Sequence, residues 1–333
     1  MSRVAVVGAG SWGTTLADLL CAKGDDVTLW AFEPEVADEI NRRHRNDLFL
    51  PDAPLQSSLQ ATTDVLAAVH GARLVVSVAP SHAVRRVMAA AAAGIDADAV
   101  VVSASKGLEA GTHRRMTEVL AQVLPAPEAI VALSGPTFAR EVYERQPTAA
   151  VVAGASPQAA RRAQEALGAP HFRLYTNDDV IGVELGGALK NVVAIAAGML
   201  DGLELGHNAR AALITRGLAE IARLGVALGA RPATFAGLAG MGDLLLTATG
   251  PLSRNRSLGV EVGKGKRLDE ILSRRLSVAE GVETARAALD LAAQAGVELP
   301  IVREVAAVLF EVRPLKQAIG NLMERSLKSE TWS

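Results

Sequence analysis

One stretch of the sequence decides the fold: Val4-Ala5-Val6-Val7-Gly8-Ala9-Gly10-Ser11-Trp12-Gly13. An apolar run of strand length followed by Gly-x-Gly-x-x-Gly at the start of a helix is typical of a dinucleotide-binding site. Gly8 permits the tight turn, Gly10 lets the backbone approach a pyrophosphate, and Gly13 lets the helix pack closely on the strand. The N-terminus of the helix attracts the anion. The alternative is a plain strand–helix turn with incidental glycines, but the context favours a dinucleotide site.

Further apolar runs alternate with helical segments through the first half of the chain. They lie at residues 27–30, 74–78, 100–102, 130–133, 149–152 and 172–175. Their hydrophobicity is continuous rather than alternating, which indicates strands that are covered on both faces, as in a parallel sheet. We therefore predict an α/β domain, a doubly wound (Rossmann) parallel sheet that binds NAD(P), over residues 1–178.

The second half of the chain has a different character. Helical periodicity dominates, for example at residues 209–228 and 282–295, and convincing strand patterns disappear. We predict an all-α domain over residues 179–333 that binds the substrate and ends in a polar tail. Residues 259–266 combine glycine with lysine, which predicts an irregular, mobile surface segment.

Residues 181–200 are almost entirely apolar and could be mistaken for a membrane span. Glu184 and Lys190 lie well inside this stretch, where ionisable side chains would be costly in lipid. We therefore predict a helix that is buried in protein, and no membrane span.

Charge and cysteine content narrow the class of protein. The chain has 34 Lys and Arg against 36 Asp and Glu, so its formal net charge of −2 offers no basic field for a nucleic acid or a membrane surface. Cys21 is the single cysteine and lies in an apolar run, which excludes an intrachain disulfide framework and provides no zinc cluster. We therefore predict that the protein holds no metal. We also predict a cytoplasmic protein, since no signal peptide precedes the first strand.

The end of the second strand is where a dinucleotide-binding domain contacts the adenosine ribose. Glu33 lies here, 20 residues after Gly13. A carboxylate at this point accepts hydrogen bonds from a free ribose hydroxyl and repels a 2′-phosphate, which favours NAD over NADP. Two alternatives stay open: Glu33 points into solvent, or a phosphate is bound by Arg42, Arg43 and Arg45. A solvated charged helix face explains these arginines more simply.

Four later segments place polar groups where a purely structural sequence would not. Ser105-Lys106-Gly107 and Ser134-Gly135-Pro136-Thr137 each follow a strand, at the sheet edge where α/β proteins bind ligands, unless they are turns only. Lys190-Asn191 lies inside an apolar helix, so the lysine must snorkel, pair or face a polar cavity. Ser253-Arg254-Asn255-Arg256 begins a helical stretch with Ser253 as the N-cap, which is either ordinary capping or a phosphate site.

With these segments the chain resembles the bacterial-type NAD(P)-dependent glycerol-3-phosphate dehydrogenases over nearly its whole length. The motifs that carry the resemblance lie at residues 8–14, 105–109, 134–139, 186–192, 208–217, 240–244 and 253–256. The resemblance implies reversible hydride transfer between nicotinamide C4 and C2 of sn-glycerol 3-phosphate, with dihydroxyacetone phosphate as the ketone. Reduction supplies a precursor for glycerophospholipid synthesis. The resemblance also implies a homodimer.

The resemblance further implies the role of individual residues. Lys190 is the general acid/base at the C2 oxygen. The implied substrate contacts are Lys106, Gly135, Thr137, Lys190, Asp243, Ser253, Arg254 and Asn255. The implied coenzyme contacts are Ser11, Trp12, Phe32, Lys106, Ala139, Arg254, Val278 and Glu280. Many bacterial members carry a basic residue just after the second strand and accept NADPH, whereas Phe32-Glu33 is more similar to NAD-using eukaryotic relatives. The preference between NAD and NADP therefore stays open.

The chemistry of Lys190 agrees with this role. Reduction of a ketone develops negative charge on oxygen, which an ammonium group stabilises and protonates. Burial and the cations Lys106 and Arg254 would lower the pKa of Lys190, whereas Asp243 would raise it, and the sequence does not weigh these effects.

Two other functions remain to be separated from this one. The first is a dehydrogenase of the 3-hydroxyacid or 6-phosphogluconate type, which also joins a Rossmann domain to helices. The second is a non-catalytic dinucleotide sensor, which would need the glycines but neither Lys190 nor Asp243.

Overall fold

The computed structural model of the chain describes residues 2–274 and 280–327. Within these residues, eight strands form one sheet of order β3-β2-β1-β4-β5-β6-β7-β8. The strands are β1 (Arg3–Val7), β2 (Asp26–Trp30), β3 (Gln60–Thr62), β4 (Leu74–Ser77), β5 (Val100–Ser103), β6 (Ile130–Ser134), β7 (Thr148–Ala153) and β8 (Phe172–Asn177). The pairs are parallel except for β6 with β7. The chain order reverses at β1, where β2 lies on one side and β4 on the other, and such a reversal opens a crevice for ligands.

Helices cover the sheet on both faces. They are α1 (Ser11–Ala22), α2 (Pro34–Arg43), α3 (Val65–Val69), α4 (Ser81–Ala91), α5 (Met116–Val123), α6 (Ala139–Tyr143) and α7 (Pro157–Leu167). Because the strands are covered twice, the central strands β1, β4, β5 and β6 are buried along almost their whole length. This confirms the prediction of a doubly wound sheet from continuous apolar runs.

The second half of the chain is helical, as predicted. Its helices are α8 (Val180–Gly202), α9 (His207–Ala227), α10 (Pro232–Phe235), α11 (Asp243–Thr249), α12 (Arg254–Gly263), α13 (Leu268–Ser273), α14 (Glu280–Ala295), α15 (Pro300–Phe310) and α16 (Leu315–Met323). We call residues 3–177 the sheet half and residues 180–323 the helical half. The division into domains at residues 178 and 179 stays a prediction, because Leu108 of the sheet half packs in the core of the helical half.

Helix α8 is the centre of the helical half. It is long and apolar enough to cross a membrane by length and composition, but 83% of the apolar window is buried inside the protein. Helices α9, α10, α11, α12, α14 and α15 and strand β6 pack around it. The stretch is therefore a core helix, which explains how Glu184 and Lys190 lie on it.

The structure adds one strand and corrects one prediction from the sequence. Strand β3 was not predicted, because its three residues, Gln60 to Thr62, form no apolar run. Residues 259–263 were predicted to be irregular, but they belong to α12. Gly259 is buried against α8, where an added Cβ would lie 2.0 Å from the carbonyl oxygen of Ile195. The glycines in this segment permit close helix packing, and they do not break the chain.

Candidate active site

The glycine loop, residues 8–13, has the geometry that a pyrophosphate requires. Gly8 has φ +127°, which favours glycine, and an added Cβ on Gly13 would lie 1.8 Å from the carbonyl oxygen of Gly8. Gly10 is the N-cap of α1 and has no side chain to bond the first-turn amides. An added Cβ on Gly10 would meet no described atom within 4 Å, so the backbone is open there to a ligand. The three glycines thus fit a dinucleotide, and the predicted turn, approach and packing roles agree with this geometry.

Ser11 and Trp12 are the first residues of α1. The indole of Trp12 packs edge-on against Phe172, with ring centroids 6.1 Å apart. This side chain is therefore part of the sheet core. A coenzyme contact by Trp12 would be made by its backbone amide, which lies at the positive end of the helix.

Asn46 supports the glycine loop, a role that no sequence pattern indicated. The residue follows α2 and is fully buried. Its Nδ2 donates hydrogen bonds to the carbonyl oxygen of Ala9 and to Oγ1 of Thr14, both at 2.8 Å. Asn46 therefore holds the middle of the loop from behind.

We expect Asn46→Ala to weaken the binding of NADH roughly 5- to 100-fold, since an unsatisfied buried polar group costs on the order of 1–3 kcal/mol. Fluorescence titration with NADH measures the dissociation constant. Asn41→Ala is the matched control, because Asn41 makes two similar bonds to the backbone of Ala61 on β3, outside the loop. Equal dissociation constants for the two variants would contradict a role for Asn46 in the loop.

Phe32 and Glu33 lie at the end of β2, as predicted. Phe32 is 66% exposed, and Glu33 is the N-cap of α2 without a side-chain cap bond. Arg42 and Arg43 lie in the last turn of the same ten-residue helix, about 15 Å from Glu33 along the axis. Arg45 is bonded to Asp47 at 3.0 Å. The arginines are therefore placed as a charged surface, and the contact of Glu33 with a ribose stays a prediction.

The two predicted lysines meet on one carboxylate. Lys190 of α8 and Asp243 of α11 form a buried ion pair through Nζ and Oδ1, with side-chain exposures of 6% and 1%. Lys106 Nζ lies 2.8 Å from Oδ2 of Asp243 and donates to the carbonyl oxygen of Gly135 at 2.8 Å. Oγ1 of Thr137 lies 3.4 Å from the same Nζ. The structure thus brings together five predicted substrate residues from four separate segments.

Asp243 reaches Lys190 because of the backbone before it. A π-helix, Leu238–Gly242, leads directly into α11. Gly186 of α8 lets this turn approach, since an added Cβ there would lie 2.5 Å from the carbonyl oxygen of Ala239. Thr247 Oγ1, one turn along α11, lies 3.5 Å from Oδ1 of Asp243. Thr247 was not predicted from the sequence, because its role depends on the helix that begins at Asp243.

Burial decides the charge state of Lys190. Removal from water lowers the pKa of its ammonium to about 7, an effect that outweighs the attraction of Asp243 and is reinforced by Lys106. The balance that the sequence left open is therefore resolved towards a pKa near neutrality. Such a lysine both donates and accepts a proton at physiological pH, as a general acid/base must.

Helix α12 presents its first residues beside the lysine. Ser253 Oγ accepts a hydrogen bond from the amide of Arg256 at 3.2 Å, so the predicted N-cap is confirmed. Asn255 Nδ2 donates to Oδ1 of Asn191 at 3.0 Å, and Asn255 Oδ1 accepts from the amide of Gly281 at 3.1 Å. Asn191 is adjacent to Lys190, so this helix start lies next to the acid/base candidate.

The register between α8 and α12 is set by glycines. An added Cβ on Gly198 would lie 2.0 Å from the carbonyl oxygen of Arg256, and one on Gly263 would lie 2.5 Å from that of Met199. Together with the Asn191–Asn255 bond, these contacts show that the helices run parallel in close contact. The distance between Lys190 and the N-terminus of α12 is therefore fixed by packing of the two backbones.

Of the remaining predicted residues, Ala139 and Glu280 are described by the structure and Val278 is not. Ala139 begins α6, and its carbonyl oxygen accepts from Thr15 Oγ1 at 3.1 Å. Burial raises the pKa of the Glu280 carboxyl, against the opposing effect of Arg254 and of a hydrogen bond from the Ser81 backbone. Val278 lies outside the described residues. Among the described residues, no group of three His, Cys, Asp or Glu side chains is placed to hold a metal ion.

A dinucleotide loop in the sheet half, together with a buried lysine next to a basic helix start, defines a nicotinamide-dependent dehydrogenase. Residues 3–160 match the sequence profile described as NAD-dependent glycerol-3-phosphate dehydrogenase N-terminus, and residues 179–320 match the corresponding C-terminus profile. The chain belongs to the NAD-dependent glycerol-3-phosphate dehydrogenase family, which confirms the resemblance found in its motifs.

Individual relatives agree with this assignment. A glycerol-3-phosphate dehydrogenase [NAD(P)+] of Geobacter sp. strain M21 is 53% identical over 330 residues, 98% of each chain. That of Geobacter sulfurreducens is 53% identical and covers 99% of both chains. The crystal structure of glycerol-3-phosphate dehydrogenase from Coxiella burnetii is similar with a TM-score of 0.92 and 39% identity, covering 97% of this chain and 99% of that one.

Proposed function

We propose that the protein is an sn-glycerol-3-phosphate dehydrogenase that reduces dihydroxyacetone phosphate reversibly with NADH or NADPH. The observation that carries the proposal is the buried Lys190, paired with Asp243 and lying next to the N-terminus of α12. A ketone and a phosphate on one small molecule fit a proton donor beside a helix start that carries an arginine. In the direction of reduction, the product is a precursor for glycerophospholipid synthesis.

The residues of the chain have separate tasks in this reaction. The reduced nicotinamide supplies a hydride when it is bound, and the glycine loop and Glu33 hold the other end of that coenzyme. Lys190 donates a proton to the C2 oxygen, while Asp243 orients the ammonium and Lys106 adds a second positive charge near the developing alkoxide. Arg254, Asn255 and the first amides of α12 bind the phosphate.

The decisive experiment follows the absorbance of reduced nicotinamide after addition of dihydroxyacetone phosphate. We expect a rapid fall, and no comparable change with unphosphorylated dihydroxyacetone. A dehydrogenase of another substrate class would instead oxidise a 3-hydroxy acid or 6-phosphogluconate with NAD(P)+. A sensor would bind the coenzyme and leave its absorbance unchanged, and either result would overturn the proposal.

The direction of the reaction should reverse its pH dependence. Reduction needs the Lys190 ammonium, and the pKa of this group is lowered to about 7. The kcat for reduction is therefore expected to fall as the pH rises through about 7. The kcat for oxidation, which needs the neutral amine, is expected to fall as the pH drops through the same region. Initial rates in both directions between pH 5.5 and 9 test this prediction, and parallel profiles would contradict it.

Glu33 is expected to make NADH the preferred coenzyme, because its carboxylate repels a 2′-phosphate. We expect kcat/KM to be at least about tenfold higher with NADH than with NADPH, which corresponds to roughly 1.4 kcal/mol. Glu33→Ser should raise kcat/KM for NADPH and leave kcat unchanged. Glu35→Ser, in the exposed first turn of α2, is the control. Preference for NADPH in the unsubstituted protein would show that Glu33 does not contact the ribose.

The proposal extends to a homodimer in the cytoplasm. The first ten residues of α9 include no buried residue: Ala211 and Ala212 are exposed, and Leu213 and Ile214 are only partly buried where they pack on the core of the helical half. An apolar helix face of this kind is suited to a second copy of the chain. Light scattering at micromolar concentration should give twice the mass of the chain, and Ala212→Arg, at an exposed position of α9, should give a monomer.

A further inference from the structure

The carboxylate of Glu184 connects the two halves of the molecule. It lies on α8, six residues before Lys190, and its side chain is 7% exposed. It accepts hydrogen bonds from Nη1 of Arg115 at 2.8 Å, from the amide of Thr117 at 2.9 Å and from Oγ1 of Thr117. These donors all lie at the N-terminus of α5, in the sheet half. A residue of the helical half thus caps a helix of the sheet half.

The segment that precedes α5 carries Lys106. This segment, residues 104–115, is held to the sheet half by Glu109, whose carboxylate binds Arg85 at 2.6 Å. It is held to the helical half by Leu108, which packs in that core, and by His113, whose Nε2 lies 3.2 Å from Asp290. The Glu184 cap fixes its last residue, Arg115. The position of Lys106 relative to α8 therefore depends on a short segment that is anchored on both sides.

Both lysines share Asp243, so their relative position matters for the site. Lys190 follows Glu184 on the same rigid helix, and Lys106 precedes Arg115 by nine residues on the anchored segment. Loss of the cap would release the α5 end of this segment and let Lys106 move relative to the Lys190–Asp243 pair. Misplacement of a reacting group by about 1 Å can lower a rate roughly a hundredfold.

We infer that Glu184 is a positioning residue for the reduction: its bonds to Arg115 and Thr117 set the place of Lys106 against Lys190 and Asp243. The inference rests on the proposed function. It goes further than that function by assigning a task to a buried carboxylate. The hydrogen-bond partners of Glu184 lie at the start of α5, and not in the glycine loop or at the start of α12.

The test compares Glu184→Gln with a matched variant, Glu304→Gln. Glu304 is also a mostly buried carboxylate bonded to an arginine, Arg313 at 2.9 Å, but both residues lie within the helical half, on and just after α15. The melting temperature, the dissociation constant of NADH, and kcat and KM for dihydroxyacetone phosphate are measured for each variant. We expect both variants to lose stability, and only Glu184→Gln to lose kcat, by about 10- to 100-fold.

The dissociation constant of NADH should change less than about twofold in Glu184→Gln, since the pyrophosphate is held by the glycine loop. Arg115→Met should lower kcat to a similar extent. The double variant of Glu184→Gln and Arg115→Met should be no worse than either single variant, because both substitutions break the same contact. Thr117→Val, which removes a single hydroxyl, should give a smaller loss in the same direction if Glu184→Gln does not fold.

Each outcome decides one of the two proposals. Unchanged kcat in Glu184→Gln or in Thr117→Val, with an active unsubstituted protein, would overturn the positioning role alone. An equal loss of kcat in Glu304→Gln would overturn it as well, because general destabilisation would then explain the effect. An unsubstituted protein that does not oxidise NADH with dihydroxyacetone phosphate would overturn the proposed function, and this inference with it.

Discussion

Replacing Lys190 with alanine is expected to lower kcat for dihydroxyacetone phosphate by about 10²- to 10⁴-fold, the usual contribution of a general acid. The substitution removes the proton donor at the C2 oxygen and the positive charge that stabilises it. The fold should survive, because Asp243 keeps Lys106 as a partner at 2.8 Å and is not left as an unpaired buried charge. NADH binding should be retained, since the glycine loop follows β1 and begins α1, whereas Lys190 lies on α8.

Steady-state kinetics, NADH titration and thermal melting separate these expectations. Lys190→Arg keeps a positive charge but cannot release a proton near neutral pH, so its kcat should stay low. Lys23→Ala is the control for loss of a lysine that bonds only backbone carbonyls, at the exposed end of α1. Near-normal turnover in Lys190→Ala would remove Lys190 from the reaction.

Local patterns predicted the parts of the structure that local forces determine. The glycine loop needs φ above zero at Gly8 and close packing at Gly13, and both requirements are visible as glycines in the sequence. Ser253 as an N-cap is equally local, because the hydroxyl bonds an amide three residues later. Such features depend on neighbours in the chain, so the sequence alone identifies them.

Features that depend on distant partners were missed or misjudged. Strand β3 forms because its backbone pairs with β2. A strand of three residues is too short to show a recognisable pattern in the sequence. Gly259 was interpreted as part of an irregular segment. Glycine is required there because an added Cβ would meet the carbonyl oxygen of Ile195, which lies 64 residues earlier in the chain. Glycine in a helix therefore has two explanations, and only the packing partner distinguishes them.

The active site shows the same division. The motifs identified Lys106, Lys190 and Asp243 one by one, whereas the sharing of one carboxylate by two ammonium groups is a property of the folded chain. The sequence could name the effects on the pKa of Lys190 but could not weigh them, because their balance depends on how completely the group is buried. The roles of Asn46 and Glu184 could not be predicted from the sequence either, because their contacts join segments that are far apart in the chain.

Substitution of Arg254 is expected to have the second large effect, on the KM for dihydroxyacetone phosphate. Arg254 is the first residue of α12 and adds a guanidinium to the positive end of the helix, and its charge opposes the rise that burial causes in the pKa of the Glu280 carboxyl. Arg254→Ala is expected to raise KM for dihydroxyacetone phosphate roughly 10- to 150-fold, because a hydrogen bond to a charged group contributes about 1.5–3 kcal/mol. Arg254→Lys should recover only part of this, since an ammonium lacks the bidentate geometry.

A second arginine on the same helix supplies the control. Arg256 lies two residues further on, and its guanidinium binds Asp201 through Nε at 2.7 Å, at the end of α8. Arg256→Ala should therefore lower the melting temperature and leave KM nearly unchanged. With unphosphorylated dihydroxyacetone, Arg254→Ala and the unsubstituted protein should be equally poor, because the guanidinium acts on the phosphate. A similar KM for the phosphorylated ketone in Arg254→Ala and the unsubstituted protein would show that Arg254 does not bind the phosphate.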